Sequence, residues 1–410
     1  VQRVRVGVVG TGGIFQNAHL PAYPEVEEAR LVAICDVSEE ALRAGEGRVR
    51  SVYGERIKEA EGKGDAELAE RLRGDLEGVR AYPGVREMLA GADVDLVDVC
   101  TPTGFHHTVA LEALRAGVDV MVEKPMARTY LECLDVVEAV EESGRLYQHN
   151  ENYLYMPTWY NARKFIESGA IGEVQLMFLA TAHGGPEWAT WFWDPSVSGG
   201  GSLLDNGVHS VTTSWFLASF ERRPTVVKAA EPHGIATRMR TRILSGRFQT
   251  AAVEDDAHVL IRYEDAGTGA WTTAHVEGSW SHRDSPADVI IGTDGRMEPV
   301  VEEGRGFLVI TDAQGGTRRV PVGKTSWLLS FPGEIRNMCR CVLSRARPLC
   351  DERVGAETTA IVGAAYLSQA RGKEAVTMDE FREYALKVRE REGERAPDIL
   401  LKELLRGIAG

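Results

Sequence analysis

Short, mainly apolar runs alternate with longer amphipathic stretches over the first third of the chain. Val4–Val9 is one such run, closed by Gly10; Leu31–Cys35, Leu96–Cys100 and Val118–Val122 repeat the pattern, and Leu146–His149 resembles them. Apolar runs this short, bounded by turn residues, predict buried strands. The charged stretch from Ser38 to about Leu72 predicts two helices with a loop at Gly62-Lys63-Gly64. Phe105–Ala116 and Tyr130–Ser143 predict one helix each. Strands alternating with helices predict a parallel sheet covered on both faces.

The pattern changes after about Asn150. Thr158–Glu167 and Asp205–Ala218 read as helices, and Val174–Thr181 as a strand. From Thr225 to Val322 the chain reads mostly as β, with strands at Ala257–Tyr263, Ala270–Ser279, Asp288–Ile291, Phe307–Thr311 and Thr317–Val320. Apolar residues at Ala257, Val259, Ile261 and Tyr263 follow a period of two, which fits an antiparallel sheet with one wet face. Helices return at Ser330–Ser344, Glu357–Gln369 and Asp379–Arg391, and Arg389–Arg395 reads as a solvated face. The expected fold class is α/β, with an N-terminal doubly wound domain over 1–150 and an α+β domain over 151–410. The first domain carries an insertion at about 46–78, and the C-terminal helices are candidates to pack back on it.

Composition narrows the function. The 410 residues are 43% hydrophobic and 26% charged, which fits a globular protein. The balance of 47 basic against 61 acidic residues leaves a net charge of −14. That sign excludes a general nucleic-acid or anionic-membrane binder. No apolar stretch approaches the ~18 residues of a membrane span. The chain enters a strand at once, without a signal-peptide layout. The six cysteines form no CxxC pair, and Cys35 and Cys100 lie in apolar strands. This usage predicts a reducing, cytoplasmic location. No histidine cluster has metal-like spacing (His106-His107 lacks a third partner), so no metal is expected.

Gly10-Thr11-Gly12-Gly13-Ile14-Phe15 follows the first strand directly. Gly10 and Gly12 match the first two glycines of a dinucleotide fingerprint, one for the tight turn and one for close approach of a pyrophosphate. Phe15 stands where the third glycine is usual. Alone the match is weak, since such a turn is often only a turn. Asp36, directly after the second strand, strengthens it. A carboxylate there accepts the ribose hydroxyls of NAD and repels the extra phosphate of NADP. Asp36 also reads as a helix N-cap, a role for which Ser38 competes.

Glu123-Lys124-Pro125 ends the strand Val118–Val122, so Lys124 is expected to face the ligand crevice, its backbone held extended by Pro125. Farther along stands Gly199-Gly200-Gly201-Ser202-Leu203-Leu204-Asp205-Asn206-Gly207-Val208-His209. Asp205 and His209 are four apart and would share one helix face. A carboxylate beside an imidazole raises its basicity for proton transfer. The glycine triplet would let substrate or cofactor approach closely. The alternative is an Asp N-cap with a structural histidine. Trp188, Trp191 and Trp193 could stack on sugar faces or simply pack, with Trp193 the best ligand candidate. Glu254-Asp255-Asp256 reads as a strand-entry turn.

These motifs, with His19-Leu20-Pro21-Ala22, Thr101-Pro102, His106, Tyr155-Met156-Pro157 and Gly169–Val174, resemble in their order the glucose–fructose oxidoreductase / inositol dehydrogenase (Gfo/Idh/MocA) family. The resemblance covers most of 1–220 and more loosely the rest. It implies a Rossmann domain joined to a domain with a large open-faced sheet, and a homodimer or homotetramer. It implies hydride transfer between a sugar or polyol and NAD(P), and Asp36 predicts that NAD is preferred over NADP. It also implies His209 as general base on the substrate hydroxyl, Lys124 polarising that oxygen, and Asp205 orienting its neighbours. Thr101, Pro102, His106 and Glu123 would line the cofactor; Asn206 and Tyr153 join the substrate candidates. Other classes in the family are a redox-neutral NAD-using glycosidase and a non-catalytic sugar-sensing regulator. The chain departs from the family at Leu154, where Arg is frequent, and at Ser210-Val211-Thr212, where many members carry Asp.

Overall fold

The computed structural model describes residues 2–408. The chain divides into two compact units. The first holds the chain up to Met126, Asp135–Asn152 and Leu328–Arg353; the second holds Ala127–Leu134, Tyr153–Trp327 and the chain from Val354.

The first unit is built on six parallel strands: β1 (Val4–Val9), β2 (Ala29–Cys35), β3 (Arg80–Tyr82), β4 (Leu96–Val99), β5 (Asp119–Glu123) and β6 (Tyr147–Asn150). Their order in the sheet is β3-β2-β1-β4-β5-β6, the doubly wound arrangement in which the strand order reverses beside β1. Every residue of β4 and β5 is buried, because helices cover both faces. The helix Glu39–Gly62 starts where Ser38 accepts the Ala41 N–H, and a second helix, Ala66–Gly78, starts where Asp65 accepts that of Leu68. Between them Gly64 takes a positive φ of 75°. Val49, Val52, Tyr53, Ile57, Ala69 and Leu72 bury one face of this pair in the core, each worth roughly 1.5–3 kcal/mol. The helix Phe331–Ser344 adds Phe331, Ile335, Met338 and Cys339 to that same core.

The second unit contains β7 (Val174–Ala182), β8 (Arg223–Ala229), β9 (Ile235–Ala236) and a separate hairpin of β10 (Thr241–Leu244) and β11 (Arg247–Thr250). It continues with β12 (Asp256–Glu264), β13 (Trp271–Ser279), β14 (Val289–Gly292), β15 (Gly295–Glu302), β16 (Arg305–Asp312), β17 (Thr317–Lys324) and β18 (Val376–Thr377). The large sheet runs β17-β16-β15-β14-β7-β13-β12-β8-β18 and is antiparallel except where β7 meets β13. Ala257, Val259, Ile261 and Tyr263 are all buried, and the Tyr263 hydroxyl meets Ser214 Oγ of the helix Val208–Ala218 at 2.8 Å. The period-two pattern therefore marks the helix-covered face.

Three elements differ from the sequence reading. β15 lay hidden behind Pro299 and its acids; pairing with β14 and β16 on its two edges overrides its weak propensity. The charged end resumes as the helix Ala396–Leu404, which buries Leu400, Leu401 and Leu404. The predicted helix 205–218 opens with a π-type turn, Leu203–Gly207, before becoming α-helical at Val208. Among the described residues no helix is long and apolar enough to cross a membrane.

Candidate functional site

In the first unit the glycine turn sits at the carboxyl end of β1. Gly10 has φ +96°, and a Cβ there would lie 2.7 Å from the Cys100 carbonyl. Only glycine lets the turn pass beneath the backbone that follows β4. Gly12 and Gly13 are exposed; a Cβ on Gly12 would meet nothing within 4 Å, and one on Gly13 only Asn17 at 3.9 Å. The turn thus presents bare backbone to open space, which fits a pyrophosphate group. Asp36 lies at its rim, accepting the Thr11 N–H at 2.8 Å, the Thr11 hydroxyl at 3.1 Å and the Ser38 N–H at 2.9 Å. Ser38, not Asp36, caps the following helix. Gly45 lets that helix come close, since a Cβ there would stand 2.7 Å from the Thr11 Cβ.

Three predicted cofactor residues have buried side chains. The Phe15 ring is fully buried in the core, packing the π-type turn Phe15–His19 onto the sheet. His106 is buried, with its ring nitrogens 2.8 Å from the carbonyls of Thr101 and Pro125. Burial holds this imidazole below its usual pKa, against the pull of the two carbonyls. It ties the loop after β4 to the loop after β5, which places Thr101, Pro102 and Lys124 without its own side chain reaching the surface. Glu123 turns inward and accepts from His19 Nε2 at 2.8 Å. Ile14 is half-buried, and Lys124, Thr101 and Pro102 are partly exposed.

The sequence reading missed the network behind Glu123. His19 Nδ1 meets Asp98 Oδ2 at 2.8 Å, and the Tyr23 hydroxyl donates to the same oxygen at 2.6 Å. Asp98 had looked like one polar letter in an apolar strand, and that interruption was the available signal.

In the second unit the motif 199–209 forms a tight knot. A Cβ on Gly199 would lie 2.6 Å from the Arg128 Cα, one on Gly200 would strike the Tyr366 hydroxyl, and one on Gly201 the Glu254 carbonyl. The glycine triplet thus answers to close packing of the chain on itself, not to room for a ligand. Glu254 is fully buried and accepts the N–H groups of Gly201 at 3.1 Å and Leu203 at 3.0 Å, with the Tyr366 hydroxyl at 2.7 Å. Its pKa rises to about 7, chiefly from burial. A raised acid stabilises the fold below the unfolded pKa and loses that contribution as pH climbs through the folded one. The stability advantage of the wild type over Glu254→Gln should therefore shrink between pH ~4.5 and ~7, as measured by urea unfolding. A constant difference across that range would contradict the assignment.

The π-type turn carries Asp205, and His209 opens the helix that follows. The His209 ring stacks on Tyr153, centroids 4.1 Å apart and planes 10° from parallel. Asp205 Oδ2 accepts from Trp280 Nε1 at 3.2 Å and lies 3.8 Å from His183 Nε2. His183 and Trp280 come directly after β7 and β13, at the carboxyl ends of the parallel pair. Neither was singled out from sequence, and their positions after adjacent strands show only once the sheet is assembled.

Asn206 and Trp193 do not serve as expected. The Asn206 amide is buried and donates to the carbonyls of Thr181 and Ser279, pinning the turn to β7 and β13. Trp193 is buried, donates to the Pro186 carbonyl at 3.3 Å, and has the Arg242 guanidinium 4.5 Å above its ring. Its faces are taken by the protein, so of the two readings of the tryptophan cluster, packing holds for Trp193. Trp188 is 74% exposed. Glu254-Asp255-Asp256 is a strand entry as read, with Asp255 bound by Arg242 at 2.5 Å.

A doubly wound parallel sheet with an open glycine turn and a carboxylate after its second strand defines an oxidoreductase of the NAD-binding Rossmann class. Two family models match: residues 4–151 fit "Oxidoreductase family, NAD-binding Rossmann fold", and residues 159–298 fit "GFO/IDH/MocA C-terminal domain". The chain belongs to the Gfo/Idh/MocA family. It is 25% identical over 274 residues to D-glucoside 3-dehydrogenase of Escherichia coli, covering 64% of this chain and 68% of that one. It is 24% identical over 387 residues to D-apiose dehydrogenase of Paraburkholderia graminis, covering 91% and 89%. A solved structure of levoglucosan dehydrogenase with NADH and levoglucosan superposes with a TM-score of 0.72 at 20% identity, over 92% of this chain and all of that one, which shows a shared fold.

Proposed function

We propose that this protein is a dehydrogenase that moves a hydride between a sugar or polyol carbinol and NAD, with NAD preferred over NADP. The observation that carries the reading is His209, a buried imidazole stacked on Tyr153 directly after the turn that bears Asp205. The names of the relatives support the substrate class.

In this reading Gly10, Thr11, Gly12, Gly13 and Ile14 hold the dinucleotide phosphates, Asp36 takes the ribose hydroxyls, and Thr101 and Pro102 line its path. The nicotinamide supplies the hydride acceptor. The protein's own residues handle the proton. His209 withdraws it from the carbinol hydroxyl, which must ionise as the hydride departs. Lys124 stabilises the developing alkoxide. Asp205, held by Trp280, orients the imidazole's surroundings, and Tyr153 fixes the ring plane. All six cysteines are buried and lie outside any disulfide, which supports a reducing compartment.

Supplying NAD with a panel of glucosides, levoglucosan, apiose and inositols should raise the NADH absorbance for at least one of them. Glycoside cleavage without NADH, or no reaction at all, would sink the reading.

The second unit's sheet leaves Phe178, Leu260 and Trp271 between 37% and 52% exposed on the face opposite the helices. Apolar faces of this kind associate. Sedimentation at micromolar concentration should show a dimer or tetramer, and Leu260→Glu with Trp271→Glu should release monomers. A wild-type monomer would refute this.

A further inference from the structure

We infer that His19 is a positioning residue for Lys124, holding Glu123 and offsetting its charge beside the lysine. This rests on the reading of Lys124 above. Each ring nitrogen of His19 has a carboxylate oxygen at 2.8 Å, one from Asp98 and one from Glu123. A neutral imidazole carries a single N–H, so two carboxylate partners call for the imidazolium. Burial opposes that charge, yet Asp98 and Cys100 beside the ring hold His19 well above its usual pKa. The side chains of His19 and Asp98 are fully buried, and that of Glu123 nearly so. Ion pairing in such a dry site is strong, and removing one partner strands the other.

The groups around the imidazolium come from every neighbouring element. Asp98 and Cys100 lie on and just after β4, Glu123 ends β5, and Tyr23 follows the π-type turn. Phe331 lies 5.2 Å from the ring, and Glu334 comes from the same helix. The Glu334 carboxyl is buried, has no hydrogen-bond partner among the described residues, and is pushed well above the usual carboxyl range by burial and the Glu123 charge; Glu151 adds to that push. His106 is a further titratable neighbour of Lys124.

His19, Glu123 and Glu334 offer ligand atoms within 4.8 Å of one another. Both imidazole nitrogens already face carboxylates, however, so the cluster is organised around hydrogen bonds. The imidazolium offsets one of the two carboxylates that flank it, just before Lys124. His19 also stands in the π-type turn that follows the glycines, so it links the cofactor turn to the lysine loop.

The test reads Lys124 directly, with neither sugar nor NAD present. The full chain is labelled with isotope-coded acetic anhydride across pH 7–10, and Lys124 is followed by peptide mass spectrometry. His19→Gln removes a positive charge, so acetylation at a given pH should slow by roughly tenfold, one unit in the amine's titration. Glu123→Gln removes a negative charge and leaves the imidazolium, so acetylation should quicken by a similar factor. The double variant should return toward wild type. Mere loosening of the loop would move both single variants the same way; that result, or no change, overturns the proposal. If His19→Gln does not fold, His19→Asn takes its place beside Glu123→Gln, with slower labelling expected and an unchanged or faster rate overturning the proposal. Sugar oxidation is assayed separately, so failure of the dehydrogenase reading stays distinct from failure of this one.

Discussion

Replacing His209 with Ala should slow single-turnover NADH formation by ~10²–10⁴-fold, the range for losing a positioned acid–base group. Alanine removes the only imidazole assigned to the hydroxyl proton and leaves the Tyr153 ring without its stacking partner. NAD affinity should barely move, because in this reading His209 acts on the substrate hydroxyl and not on the dinucleotide. Lys124→Ala should cost a similar factor, since a lost cation leaves the alkoxide unstabilised. Asp205→Asn should cost less, because the amide oxygen can still accept from Trp280 while the negative charge is gone. The oxidative rate should rise with pH through one ionisation when chemistry limits turnover. Near-wild-type hydride transfer in folded His209→Ala would remove it as the base and leave Tyr153 or Lys124 to carry the proton.

The second large effect concerns cofactor choice. Asp36→Ser with Val37→Arg should shift the NAD/NADP preference by roughly 10²-fold toward NADP. The change removes a carboxylate that repels the 2′-phosphate and adds a charge-assisted hydrogen bond, together worth ~3 kcal/mol. Val37 is 91% exposed next to Asp36, so an arginine there meets no packing barrier. Asp36 also fastens Thr11 at two points, so the variant should lose about 1 kcal/mol of stability as well. Affinities measured by cofactor fluorescence quenching check both halves. A wild type that binds NADP as tightly as NAD would remove Asp36 as the selector.

β1, β2, β4 and β5 were legible because each is a mainly apolar run that is largely buried, whereas β3 is short and partly exposed and went unread. The cofactor turn was legible for a similar reason. Gly10 answers to a positive φ under a neighbouring backbone, and that need is local. The misreadings share the opposite property. Phe15, Asn206, Trp193 and the glycine triplet sit inside functional motifs, yet their side chains or missing side chains serve packing. Motif position alone does not distinguish a residue that touches a ligand from one that supports it. The Asp205–His209 spacing marked a candidate pair but the wrong local geometry, since a π-type turn replaces the first α-turn.

Hydrophobic period, glycine placement and the acid after the second strand were enough, from sequence, to determine a dinucleotide-binding sheet followed by a mainly antiparallel one, and to pick out Lys124, Asp205 and His209. These signals depend on near neighbours along the chain, where each residue's demand on the backbone is local. Tertiary structure alone decided that Glu123 faces His19 and not a ligand, that Asp98 and Glu334 complete a buried charge cluster, and that His183 and Trp280 flank Asp205. Those groups lie tens to hundreds of residues apart, and the charge pairing that unites them exists only once the sheet brings their strands side by side.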